Sequence, residues 1–165
     1  MAETAEQYTG RLLGYLGQKD PLAVLQATPA ILAQSAAGTD EARLRRRPSP
    51  TQWSVAEILV HLSETEMVIG YRVRVILGAT GGPIQAFDQD KWAERYDRMS
   101  VATALAMQRG LREGNLALYR SLTPEEWQRF GMHSERGKET VERVVRLAAG
   151  HDLNHIQQIA AIRAA

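Results

Sequence analysis

The chain has no cysteine. Disulfides, thiolate zinc sites and a protein-borne thiol nucleophile are therefore excluded, and any metal must be held through His, Asp, Glu or water. Excess charge is missing too: 20 Lys and Arg stand against 19 Asp and Glu, a net +1. That balance gives no global pull toward nucleic acid or a membrane surface. No apolar run approaches the roughly 20 residues of a spanning helix. The first ten residues carry Glu3 and Glu6 and lack the apolar stretch of a secretory signal. A cytoplasmic location is the expectation. Internal repeats and low-complexity tracts are also absent.

What is present is ordinary for a globular domain: 165 residues, 44% hydrophobic and 24% charged, enough for one self-sufficient core. Sustained β-type alternation is nowhere found, so the period is helical throughout. The first segment spans about Thr4 to Ala37, with Asp20-Pro21 marking a break through an N-cap and a first-turn proline. Pro29 either kinks the next helix or opens another. Arg43 to Gln52, with two prolines, reads as a connector. Ser54 and Glu57 have capping-box spacing and start a helix that continues to about Leu77. After the polar connector Ile84 to Met99, a third helix covers Val101 to Ser121. Thr123-Pro124 opens a short helix ending by Gly131, and a last long helix runs from about Thr140. These elements predict an all-α fold, a four-helix bundle with a short extra helix, in a single domain over residues 1–165.

The last helix carries the sharpest chemical signal. Val144, Ala148, His151 and His155 share its apolar face. The two histidines are one turn apart and can converge on one ion. Ala148 is small and leaves room beneath them. His61, beside Ile58, Thr65 and Val68 at the edge of another apolar stripe, can complete a three-nitrogen set. The bland alternative stays open, because each histidine can equally be satisfied by a core hydrogen bond and no fold rule yet brings the two helices together. His133, in a glycine-flanked loop, reads as a solvated surface histidine.

The run PSPTQWSVAEILVHLSETE followed by GYRVRVIL resembles the first signature of the DinB/YfiT-like superfamily. GMHSERGKETVERVVRLAAGHDLNHIQQI resembles the second, and WAERYDRMSVATALAMQRGLREGNLALYRSLTPEEW is similar to the family's middle region. Together the resemblance covers about Gln26 to Ile162. It implies a DinB/YfiT-type four-helix bundle in which His61, His151 and His155 bind a divalent metal, zinc or nickel. It also implies a homodimer, and activities such as transfer of a low-molecular-weight thiol of the bacillithiol or mycothiol type, or thiol-dependent isomerisation. An all-nitrogen set independently suits Zn, Ni, Fe or Co better than Mg or Ca.

Other residues receive lesser roles. Trp53 reads as a staple against the His61 helix rather than a substrate platform. Glu57 caps that helix; Glu64 reads as a solvated surface charge in preference to a hydrogen-bonding support for a ligand. Asp152 and Asn154 lie off the ligand face and are candidates for supporting the ligands by hydrogen bonds, and Gln158, one turn beyond His155, is a candidate for the pocket lining. Arg43 to Arg47 reads as solvated surface, and without interleaved aromatics it does not indicate nucleic-acid binding. Trp92 and Tyr96 are placed over the pocket or in a dimer contact. The expected partner is a small-molecule substrate, with no nucleic acid and no membrane. Three functions follow: a metal-dependent thiol transferase, with the thiol as co-substrate; a metal-dependent hydrolase, weakened by the lack of an HExxH carboxylate; and a non-catalytic metal-binding protein.

Overall fold

The capping residues set the chain's helices. In the computed structural model, which describes residues 3–164, Thr4 and Gln7 form a reciprocal capping box that starts α1 (Ala5–Leu16). Asp20 caps α2 (Pro21–Ala36), which has proline at its first position and runs through Pro29 without ending. A single turn, α3 (Glu41–Leu44), precedes the connector. Ser54 and Glu57 close the expected box at the head of α4 (Val55–Gly78). Each such cap contributes about 1 kcal/mol. Beyond it come α5 (Gln89–Ala93), α6 (Val101–Ser121), α7 (Pro124–Trp127) and α8 (Val141–Ala164).

Four long helices, α2, α4, α6 and α8, make the bundle: α4 packs on α6 and α8, and α2 on α6 and α8. α1 lies along the outside of α8. That contact is close enough to need Gly150, where a Cβ would sit 2.1 Å from the Leu12 carbonyl oxygen. None of the described helices is long and apolar enough to cross a membrane.

The expectation of helix throughout fails at one place. Pro83–Ile84 (β1), Phe130–His133 (β2) and Gly137–Thr140 (β3) form a small sheet in the order β1-β2-β3, with β1 parallel and β3 antiparallel to β2. Strands of two to four residues are too short to register as alternation in a sequence.

The core is divided. One apolar cluster gathers Leu25, Val73, Ile76, Leu116, Val145 and Ala149. The other gathers Leu32, Ile58, Leu59, Ala104 and Ile159. Between them, at the waist of the bundle, lies a polar layer. Arg112 of α6, 2% exposed, donates to Glu66 of α4 and Asp152 of α8, both at 2.7 Å, and to the Leu25 carbonyl of α2 at 2.8 Å. Asn115 adds a second donor to Glu66 at 2.7 Å. One guanidinium thus ties all four bundle helices at a single level. His61, His151 and His155 come from the same waist.

Candidate metal centre

α4 and α8 pack against each other, so their inward faces meet. This brings together His61, His151 and His155, 1%, 6% and 8% exposed. One ring nitrogen from each lies within 4.8 Å of the others. The Nε2 atoms of His61 and His151 are 2.9 Å apart. The sequence alone left open whether these helices are neighbours; they are.

Two of the outer nitrogens have partners. His61 Nδ1 is 3.2 Å from the Tyr96 hydroxyl, and His155 Nδ1 donates to Gln158 Oε1 at 2.9 Å. Such bonds fix ring orientation and tautomer, turning the other nitrogen inward. Trp53 forms a wall: its ring is 4.9 Å from His61 and stacks on His155 at 6.4 Å with 17° between planes. It does more than staple the helix, since it encloses the histidines. Tyr96 contributes a bond that spacing could not reveal, because it arrives from a turn in the connector between α4 and α6.

Burial holds all three imidazoles below their ordinary pKa, with the neighbouring histidines adding to the effect on His61 and His151; His155 falls to about 4. They are neutral near pH 7, the form that ligates a metal. In a tetrahedral zinc site, nitrogens about 2.0–2.1 Å from the ion lie about 3.4 Å from one another. The 2.9 Å between His61 and His151, and the 4.8 Å limit on the whole set, are of that order. Donor type, protonation state and convergence therefore fit a divalent ion.

Beside the histidines opens a cavity of about 350 Å³. α4 contributes His61, Thr65, Ile69 and Arg72 to its wall, and α8 contributes Val144, Leu147, Ala148 and His151. Ala148 leaves space there, as its size suggests. At the far end stand residues of the small sheet, among them His133. His133 is not a solvated loop residue: it ends β2 and is 3% exposed. Packing of β2 beneath β1 and α4 buries it, which the surrounding glycines and charges conceal in the sequence.

The remaining candidates take structural places. Asp152 is held by Arg112, and Asn154 Oδ1 accepts from Arg11 at 2.8 Å. Glu57 caps α4 and pairs with Arg47. Glu64 is half-buried rather than at the surface; one carboxylate oxygen is enclosed without a partner, and burial raises its pKa. In the arginine cluster, Arg45 pairs with Glu41 and Arg47 with Glu57. Trp92 packs on Phe87, 4.8 Å between ring centres.

Fold and site together define a helical-bundle protein with a buried three-histidine centre that opens onto a cavity. The family model of the DinB superfamily matches residues 25–159. The chain belongs to the DinB superfamily. It is 28% identical over 147 residues to the "Putative metal-dependent hydrolase YfiT" of Bacillus subtilis, covering 86% of this chain and 82% of that one. Two further proteins of that description from Oceanobacillus iheyensis are 24% and 27% identical, and the match spans only 64% and 62% of their lengths. The solved structure of Bacillus subtilis YfiT, described as a four-helix bundle of unusual topology, superposes with a TM-score of 0.78 at 21% identity, covering 99% of this chain and 91% of that one. A mycothiol-dependent maleylpyruvate isomerase superposes at 0.70 with 7% identity, over 89% of this chain and 62% of its own. These two likenesses establish the fold.

Proposed function

We propose that the protein is a metal-dependent transferase for a low-molecular-weight thiol, with His61, His151 and His155 as the ligands of a zinc or nickel ion. The observation that carries this reading is a neutral three-imidazole set opening on a cavity whose histidine end presents no unpaired carboxylate. Glu3, Glu135 and Glu139 also line the cavity; Arg11 and Arg136 hold the first and last, and Glu135 is exposed beside the small sheet. Base-assisted attack by water therefore finds no carboxylate of α4 or α8 in the cavity wall; Glu64, one turn from His61 with one unpartnered oxygen, is not part of that wall. With no cysteine in the chain, a sulfur nucleophile must come with the substrate. A divalent ion in this set would supply the acidity that strips the proton from an incoming thiol.

The chain's own residues prepare the site for that chemistry. Tyr96 and Gln158 fix the rings, and Trp53 shields them. Val144, Leu147 and Ala148 give the cavity an apolar side that limits water. The Thr65 hydroxyl, enclosed without a partner and one turn from His61, offers a hydrogen bond to the reacting group. That the fold also serves a mycothiol-dependent isomerase is compatible with this reading.

The second reading is a hydrolase, favoured by the description of the relatives. Assays of the metal-loaded protein separate the two. Conjugation of thiols to small electrophiles, lost in His151→Ala, supports transfer. Hydrolysis of esters or amides with no thiol present, and no conjugation, overturns it in favour of the hydrolase.

A further inference from the structure

We propose that the end of the cavity remote from the histidines is a carboxylate-binding subsite, in which Arg72 and His133 hold the carboxylate of a small molecule whose reacting group lies at His61 and His151. The subsite's purpose rests on the function proposed above; its chemistry stands on residues that take no part in holding a metal.

His61, Thr65, Ile69 and Arg72 follow one another at spacings of four, four and three residues along α4, and all four line the cavity. They form one stripe, so Arg72 faces the same space as His61 three turns further on. Eleven residues correspond to about 16 Å of helix rise.

Arg72 is only 8% exposed, yet it forms no ion pair with any carboxylate among the described residues. One Nη donates to the Gln85 carbonyl at 2.8 Å, and the guanidinium lies 5.7 Å from the Phe87 ring centre. Its Nε–H is buried without an acceptor. His133 repeats the pattern. Its Nδ1 accepts from the Glu135 backbone N–H at 3.2 Å, so the neutral ring carries its proton on Nε2. That Nε2 is also buried without a partner. Two residues that line one cavity therefore each hold an enclosed donor without an acceptor, and enclosed donors left unpaired are unfavourable.

Charge selects the acceptor. Arg136 is tied to Glu139 by two bonds, at 2.8 and 2.9 Å, and Glu3 is tied to Arg11. Glu135 is exposed, and water screens it. Of the two arginines that line the cavity, Arg72 is the one in no ion pair among the described residues. Desolvation, reinforced by Arg136, weakens its hold on its proton to about 10, which still leaves it charged at neutral pH. A single, planar negative charge matches this cavity: a carboxylate suits the guanidinium edge, with His133 Nε2–H as a further donor.

The test begins with metal-free protein, using hexanoate against the isosteric neutral hexanamide. Calorimetry is expected to show hexanoate binding at least about tenfold more tightly, with a shift of the His133 imidazole nitrogen resonances. Arg72→Gln is expected to lose that preference and Arg72→Lys to keep part of it. Thermal melting checks that each variant is folded. Equal binding of hexanoate and hexanamide, or an undiminished preference in folded Arg72→Gln, overturns the subsite. Metal content is measured on the same samples. If hexanoate binds through Arg72 but no metal is taken up, the subsite stands and the metal reading falls. If metal is taken up but hexanoate is not preferred, the reverse holds. In metal-loaded protein, competition of hexanoate against the thiol places the carboxylate on the thiol, and competition against the electrophile places it there.

Discussion

His61 and His151 lie ninety residues apart in the chain, yet their Nε2 atoms are 2.9 Å apart in the fold. Both rings are neutral imidazoles near neutral pH, because burial disfavours the charged form of each. The pair, with His155, forms a set of donors that only the folded bundle assembles.

Elemental analysis of untagged protein provides the first check. Wild type is expected to hold about one divalent ion per chain, and His61→Ala, His151→Ala and His155→Ala to lose it. Retention in any one variant would remove that residue from the ligand set.

Tyr96→Phe removes the hydroxyl beside His61 Nδ1 while leaving the ring in place. Zinc affinity, measured by chelator competition, is expected to fall about 10- to 100-fold, the usual effect of losing a bond that orients a ligand. Gln158→Leu is expected to act similarly through His155. Unchanged affinity in both would show that Trp53 and packing alone orient the rings.

The depressed histidine pKa values make metal-free protein sensitive to acid. His155 titrates at about 4 in the fold against 6.5 for the unperturbed group. The unfolded chain therefore binds protons first as pH drops. Stability is complete above about pH 6.5 and falls as pH drops toward 4, by about 3 kcal/mol for His155 alone. Melting temperature is expected to decline across that window, and His155→Phe to make the decline shallower. A flat profile would contradict the burial of these rings.

Arg112→Met leaves Glu66 and Asp152 buried without their counter-charge. Urea denaturation is expected to show a loss of about 3–5 kcal/mol. Replacing both carboxylates by leucine in the same chain is expected to recover much of it, since the apolar layer then closes. A loss below about 1 kcal/mol for Arg112→Met would mean that water reaches the waist.

Gly150→Ala forces a methyl group against the Leu12 carbonyl oxygen. Displacement of α1 is expected, with about 1–3 kcal/mol of destabilisation. Because Thr4, Tyr8 and Leu12 line the cavity, ligand binding is expected to weaken as well. Hydrogen exchange across 5–16 reads the displacement directly.

The helices were legible because their signals are local. Ser54 with Glu57, Asp20 with Pro21, and Thr123 with Pro124 satisfy backbone groups within a few residues, and each begins a helix where expected. His151 and His155 were legible as a pair for the same reason. What escaped the sequence depends on contacts between distant segments. Arg112 and Glu66 are charged residues of the sort that face water, and only the packing of α4, α6 and α8 joins them with Asp152; Arg72 is covered by Gln85 and Phe87 of the connector. His133 misled because its burial comes from β2 pairing with β1, a strand of two residues. The sequence set His61 beside Ile58, Thr65 and Val68; the wall that runs from His61 through Thr65 and Ile69 to Arg72 emerges only with α8 placed opposite.

The polar layer at the waist has a consequence for how the helices slide. Purely apolar faces tolerate shifts of register, because one aliphatic contact replaces another at little difference in energy. A one-turn slip of α6, about 5.4 Å, would carry Arg112 away from both carboxylates and into an aliphatic layer, leaving three charges stranded. The layer acts as a latch that admits one alignment. Since α4 and α8 each carry a carboxylate of the latch and a histidine of the centre, what locks the bundle in register also holds the imidazoles level with one another.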